Sequence, residues 1–174
     1  WKHVQPVALR MVSRIVAISQ HTATEIVEHY GVDESRINVI YPTCHSRFKP
    51  ERDDGDPQKL ASFGIGGRFI LTVGATSEKK NVSTLIRGFA RMCRAGYDGL
   101  LVLVGRPYAK LTQEDTPGLI KSLGIEERVL LLTDVPDEAL PALYRAADAF
   151  VLPSLCEGFG IAALEALSCG TPTV

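Results

Sequence analysis

"RFILTVGATSEKKNV", residues 68–82, carries the reading that decides the fold. Arg68 to Ala75 is an apolar, β-branched run that reaches a glycine near its end, which predicts a buried strand. After a polar loop, Asn81 stands where a helix cap belongs. Val82, Leu85, Ile86, Phe89, Ala90 and Cys93 then recur at helical spacing, and Gly96 is placed to end the helix. Strand, glycine, loop and amphipathic helix make one βα unit, and the fold depends on whether that unit repeats.

It repeats down the chain. "LLVLVG" (100–105) is a second strand ending in glycine, followed by a weaker helix over 116–123 that Gly124 ends. "VLLL" (129–132) is a third strand. A helix over 137–147, capped by Asp137, has Leu140, Leu143, Tyr144 and Ala147 on one side. "AFVLPS" (149–154) is a fourth strand, a helix covers 161–169, and "TPTV" opens another strand. The strands are apolar throughout, as strands covered on both faces must be. The pattern predicts an α/β domain with a doubly wound parallel sheet, cut short after its last strand.

Upstream, "RIVAIS" (14–19) and "INVIY" (37–41) read as strands. Between them Thr22-x-x-Glu25 predicts a capping box opening a helix to about Tyr30, with Gly31 as its stop. The stretch "PTCHSRFKPERDDGDPQ" (42–58) is polar, holds three prolines and reads as a linker. The expected organisation is therefore 1–41 as the tail of one domain, 42–58 as a linker, and 59–174 as a second, incomplete domain. The chain starts at Trp1 without an initiator Met, which predicts a piece of a longer protein.

Bulk composition narrows the function classes. The 174 residues are 45% hydrophobic and 22% charged, with a net charge of 19 − 20 = −1. That balance gives no general pull toward nucleic acid or anionic lipid. No apolar run approaches the ~18 residues of a transmembrane helix. Cys44, Cys93, Cys156 and Cys169 form no C-x-x-C pair and read as reduced thiols, which points to a reducing, cytoplasmic compartment. No His or Cys spacing suggests a metal site, so no metal and no cofactor is expected.

In open parallel sheets, ligands bind beyond the carboxyl ends of the strands. That rule selects four loops: 74–81, 105–108, 133–136 and 154–160. In the first, Gly74 lets the backbone turn, and Lys79 and Lys80 precede a helix start, where amides, helix dipole and ammonium together suit an anion. Alone, the lysines read as readily as a solvated pair, and the spacing is neither G-x-x-x-x-G-K-[ST] nor G-x-G-x-x-G. Arg106 follows the second strand and could reach a phosphate or a base. "CEGFGIAALEAL" (156–167) is richer. Gly158 and Gly160 allow close approach of the main chain to a ligand. Glu157 and Glu165, eight steps of about 1.5 Å apart, could accept hydrogen bonds from sugar hydroxyls at two points. A purely structural reading, a first-turn carboxylate and an exposed helix residue, is equally open. Against it stands the company of Glu165, which is Leu164, Ala166 and Leu167.

"FVLPSLCEGFGIAALEALSCGTPTV" strongly resembles the donor-binding domain of group 1 (family 4) retaining glycosyltransferases, whose GT-B fold sets two Rossmann-like domains face to face. "VGATSEKKN" resembles that family's lysine loop, "DVPDEALPALYRAADAFVLPS" the segment before its glutamates, and "VSRIVAISQHTATEIVEHYGV" the end of its acceptor-side domain. The resemblance implies that Lys80, with Lys79 and Gly74 beside it, contacts a donor diphosphate and that Glu157 contacts the transferred sugar. These two, Glu157 and Lys80, are the implied catalytic pair. Amides of Gly158, Phe159, Gly160 and Ile161 would lie near sugar and phosphate, Glu165 would hold the ribose, and Val135 would meet the base. Ala75 replaces the family's common arginine, a loss that Arg106 could offset.

The resemblance further implies transfer of a sugar from a nucleoside diphosphate donor to a glycan or lipid-linked acceptor, as in polysaccharide biosynthesis, without a metal. The "EKKN" loop points toward mannosyltransferase-like members and GDP-mannose. Without the acceptor-side domain the piece itself would not turn over, and membrane contact, peripheral at the inner face, would belong to the full-length protein. Two other readings fit the same residues: a non-catalytic nucleotide-sugar- or protein-binding module, and a phosphorylase-like enzyme of the same architecture.

Overall fold

The alternation of strands and helices is present in the computed structural model, which describes residues 4–74, 78–105 and 115–174. In chain order the elements are α1 (Val4–Met11), β1 (Ile15–Ala17), α2 (Gln20–Tyr30), β2 (Ile37–Val39), α3 (Asp56–Ser62), β3 (Phe69–Val73), α4 (Val82–Arg94), β4 (Leu100–Val104), α5 (Thr116–Leu123), β5 (Val129–Leu132), α6 (Leu140–Ala146), β6 (Ala149–Phe150) and α7 (Ile161–Ser168). They group into two units, residues 1–43 with 157–160, and residues 44–156 with 161–174.

In the first unit β1 and β2 pair in parallel, Ile15 opposite Ile37 and Ala17 opposite Val39. The crossover helix α2 begins earlier than the Thr22-x-x-Glu25 pattern predicts. Ser19 is its N-cap, and the Ser19 Oγ accepts the Thr22 N–H at 3.1 Å. A hydroxyl three residues ahead of an orphan N–H satisfies it equally well, so the box loses to the earlier serine. Gly31 closes α2 with φ 62°, as expected of a left-handed cap. The unpredicted α1 is held by Arg36, which donates to the carbonyls of Leu9 and Val12.

The second unit is built on four parallel strands in the order β5-β4-β3-β6. Period-two alternation sorts their side chains onto two faces. Phe69, Leu71, Val102 and Val104 bury against Leu143, Tyr144, Phe150 and Ala166, the α6 and α7 side. Ile70, Leu101 and Leu103 bury against Val82, Ile86, Phe89 and Ile120, the α4 and α5 side. Hydrogen bonding continues past β6, with Val151 N–H on Leu71 O and Leu152 N–H on Val174 O, each at 2.8 Å. Pro153 has no N–H to donate and ends it. The final "TPTV" lies beside β6, where Phe150 and Thr173 form a parallel bridge.

One predicted cap falls elsewhere, and the other holds its N-cap position without a side-chain bond. Asp137 does not cap α6, which starts at Leu140 with no side-chain cap, and its carboxylate instead pairs with Arg47 at 3.5 Å. Asn81 precedes α4 but makes no capping bond. The stretch read as linker also contains the start of α3, with Pro57 in the first turn, where its missing N–H costs nothing.

That helix is locked onto α6 by an ion pair. Arg145 Nε and Nη2 each reach an Asp56 carboxylate oxygen at 2.8 Å, and the two side chains are 6% and 9% exposed. Arg145 also donates to the Lys49 carbonyl, and Asp53 N–H donates to Asp56. Burial pushes the Asp56 carboxyl up, but the bonds from Arg145 and Asp53 outweigh it and hold its pKa below the ordinary aspartate value.

Removing one partner of such a pair strands a buried charge. Asp56→Ala should lower unfolding stability by about 3 kcal/mol, read by urea denaturation, whereas an exposed pair such as Arg68 with Asp98 should contribute little. A depressed folded pKa gives stability that is present above the unfolded pKa and lost as pH falls through the folded one. The pair's contribution should therefore persist to about pH 4 and disappear below it, and Asp56→Ala should remove that acid dependence.

Candidate functional site

Strand order fixes where a ligand can enter. β3, β4 and β5 follow one another toward one edge, and the chain then returns to place β6 on the other side of β3. The helices that follow β3 and β6 bury on opposite faces, α4 with Ile70 and α7 with Leu71. The segments leaving the carboxyl ends of these neighbours therefore lead to opposite faces, which makes this the topological switch point of a doubly wound sheet. Of the four loops predicted, two leave the sheet here, at Gly74 and at Pro153.

The lysine loop is tied to the segment after β6 by two hydrogen bonds. Leu155 N–H donates to Lys79 O at 2.9 Å, and Asn81 Nδ2 donates to Pro153 O at 3.1 Å. Asn81 has φ 49° and ψ 36°, a left-handed conformation that costs a non-glycine residue about 1 kcal/mol or more. Its side chain offsets that cost, because Oδ1 also accepts from the Thr84 hydroxyl at 2.7 Å. Gly74 has φ 143°, and a Cβ there would meet Lys80 Cε at 3.7 Å and Nζ at 3.9 Å. Lys80 thus folds back over the glycine that ends β3 and is half-buried, while the Lys79 side chain is exposed and its carbonyl makes the tie. The Ser154 hydroxyl is buried here without a hydrogen-bond partner among the described residues.

Glu165 lies in α7, half-buried, and its Oε2 accepts from the Tyr144 hydroxyl at 2.9 Å. Tyr144 is fully buried, edge-on to Phe48 and Phe150 with ring centroids 5.8 and 5.5 Å away. Burial is the main cause that raises the Glu165 pKa; the Tyr144 hydrogen bond and the Arg47 charge pull it down, and Asp137 pushes it up. The Tyr144 phenol is itself pushed well above the ordinary tyrosine value by burial and by the Glu165 charge. Arg47 stacks on Phe48 at 5.5 Å, and its Nε is buried without a partner among the described residues. Val135 is half-buried against the same core face.

Glu157, Gly158, Phe159 and Gly160 fall with the first unit. Gly160 has φ 81°, so the turn requires glycine. At Gly158 a Cβ would lie 3.0 Å from Ile18 Cδ1, so close approach is needed here for packing. Phe159 meets Tyr41 with ring centroids 6.0 Å apart. Glu157 is half-buried, and Ile161, first residue of α7, is exposed. Arg106 and Ala75 lie outside the described residues.

Thus Gly74, Lys79 and Lys80 come together, and Glu165 joins Tyr144, Arg47 and Asp137. The partners of Glu165 were missed in the sequence. Tyr144 reads there as one more apolar-side residue of its helix, and a contact 21 positions away leaves no local periodicity. Among the described residues no group of three or more His, Cys, Asp or Glu side chains could hold a metal ion, and no helix is long and apolar enough to cross a membrane.

Residues 58–174 match the family described as Glycosyl transferases group 1. The chain is 34% identical over 173 residues to mannosylfructose-phosphate synthase of Agrobacterium fabrum, covering 95% of this chain and 38% of that protein. It is 34% identical to D-inositol 3-phosphate glycosyltransferase of Nocardia farcinica, covering 92% of this chain and 37% of that protein. The chain therefore spans less than two-fifths of the length of these curated relatives. In fold it is similar to HepE of Anabaena, solved with UDP and glucose, with a TM-score of 0.83 at 23% identity over 99% of this chain and 46% of that one. Sucrose-phosphate synthase of Thermosynechococcus elongatus gives a TM-score of 0.78 at 22% identity, over 98% of this chain and 42% of that one. The chain's parallel Rossmann-like sheet matches GT-B structures, and the chain belongs to the group 1 glycosyltransferases, with the matched residues 58–174 corresponding to the C-terminal part of the fold.

Proposed function

We propose that this chain is the donor-binding part of a retaining glycosyltransferase that moves a sugar from a nucleoside diphosphate to an acceptor hydroxyl. The observation that carries the reading is Lys80 folded over Gly74 at the switch point, on a loop tied to the segment after β6. A half-buried ammonium at the mouth of a parallel sheet, next to a helix start, suits a diphosphate. Lys80 and the amides at the start of α7, that of Ile161 among them, stabilise the charge that develops on the leaving diphosphate. Glu157 accepts from the transferred sugar, Glu165 accepts from the ribose, and Val135 lies toward the base. Catalysis rests on holding the donor in place and on fixed charge, and the acceptor is supplied from elsewhere in the protein.

The sugar we favour is mannose. The "EKKN" loop supports it, as does the relative named for mannosylfructose phosphate. The base is left to experiment, since the GDP suggested by that loop differs from the UDP bound by HepE. Four free cysteines agree with a reducing, cytoplasmic setting.

Titration of the full-length protein with GDP and UDP tests the site. Lys80→Ala and Glu165→Ala should each weaken the better ligand by about tenfold or more; equal affinity in all three proteins would sink the assignment. Glu157→Ala should leave nucleoside diphosphate affinity near wild type while lowering turnover by on the order of a hundredfold. That split would separate sugar contact from nucleotide contact, and unchanged turnover would favour a non-catalytic module. A panel of radiolabelled nucleotide sugars, with GDP-mannose expected to transfer best, tests the donor.

A further inference from the structure

We propose that Tyr144 is a positioning residue for donor recognition: its hydroxyl fixes the Glu165 carboxylate and thereby sets the preference for ribose over a sugar lacking the 2′ and 3′ hydroxyls. The inference rests on the reading of Glu165 as the ribose acceptor and adds to it the group that orients that acceptor.

Three observations converge on Tyr144. Its hydroxyl donates to Glu165 Oε2 at 2.9 Å, a direct bond between side chains of α6 and α7. Its ring cannot move, being fully buried between Phe48 and Phe150. Its backbone is held as well, since the buried Thr171 hydroxyl donates to Tyr144 O at 2.6 Å. A phenol so anchored offers a single donor at a fixed point. A glutamate on a helix has three rotatable bonds, and one hydrogen bond to a fixed donor removes most of that freedom. The bond uses one of the carboxylate's acceptor positions and leaves others for a diol. The neighbouring charges work differently. Arg47 and Asp137 are paired with each other, and both act on Glu165 through charge.

A structural tyrosine would make the same bond merely to satisfy its hydroxyl in the core. The two roles differ in what they do to ligand discrimination. A structural loss weakens every nucleotide alike. Loss of carboxylate orientation weakens only ligands that carry the ribose hydroxyls.

The experiment compares UDP and GDP with their 2′,3′-dideoxy forms, by calorimetry on the full-length protein. Wild type should prefer the ribose form by about tenfold or more. Tyr144→Phe keeps the ring and removes the hydroxyl, so the fold should survive. It should weaken the ribose form severalfold, leave the dideoxy form unchanged and narrow the ratio. In a Glu165→Ala background the same substitution should leave the ratio unmoved, as expected if the two side chains act as one unit. A wild-type ratio in Tyr144→Phe, including an equal loss for both ligands, overturns the proposal. Should Tyr144→Phe not fold, Glu165→Asp withdraws the carboxylate from the phenol by one methylene without altering the core. It should narrow the ratio, and an unchanged ratio overturns the proposal. A wild-type ratio in Glu165→Ala would instead remove the underlying ribose assignment, a result distinct from failure of Tyr144 alone.

Discussion

The pairing of β6 with β3 is the constraint on which the rest depends. Had the fourth strand of this sheet continued outward beyond β5, the carboxyl ends would have led to helices on sides set by a single direction of winding. No switch point would then lie between β3 and β6. By returning to the free edge of β3, the chain sets the strand ends before Gly74 and Pro153 side by side while sending α4 and α7 to opposite faces. The register that does this rests on few residues. Ile70 pairs with Ala149 and Leu71 with Phe150. Leu71 and Phe150 are both fully buried, so a one-residue slip would turn each toward the wrong face.

The same arrangement explains why a glutamate stands in an apolar helix. α7 packs Ala166 and Cys169 into the core and leaves Glu165 half-buried at its edge. A carboxylate there loses hydration, which raises its pKa, and its surroundings compensate only in part. The Tyr144 hydroxyl and the Arg47 charge favour the ionised form, while Asp137 opposes it. A site selected for stability alone would more simply carry an apolar residue. The retained charge, with a donor already aimed at it, fits a group kept for a ligand.

Much of this was legible in the sequence because burial on both faces leaves a strong mark. "LLVLVG" is apolar throughout and "RFILTVG" is apolar but for Arg68 and Thr72, and glycines close both, so strand positions and the parallel class followed directly. Gly31 and Gly124 end their helices in the left-handed conformation as predicted. What escaped was non-local or locally degenerate. Asp137 resembles a cap, and its carboxylate is drawn instead to Arg47, ninety residues earlier in the chain. α3 escaped because polar composition and proline resemble a linker, whereas its helix is held by Asp56 reaching Arg145. The unusual company of Glu165 was visible, but its partner was not, since a tyrosine on the apolar side of a helix signals packing and gives no hint of where its hydroxyl points.

The lysine loop shows how a local rule can be broken for a positional gain. Asparagine ahead of a helix predicts a cap, yet Asn81 spends its side chain on Pro153 O and Thr84 and accepts a left-handed backbone to do so. Gly74 takes a positive φ at the other end of the loop. Gly74 and Asn81 thus hold conformations that few residues tolerate, and Lys79 O, next to Lys80, accepts from Leu155 N–H. Each of these features alone would be an oddity of a turn. Together they fix the backbone that carries Lys80, so its ammonium is held over Gly74 and the conformational cost of localising a long, flexible side chain is met during folding. A fixed charge of this kind is what preorganised stabilisation of a leaving group requires. The strained backbone at Asn81 is tolerated because two hydrogen bonds, Leu155 N–H to Lys79 O and Asn81 Nδ2 to Pro153 O, tie this loop to the segment after β6.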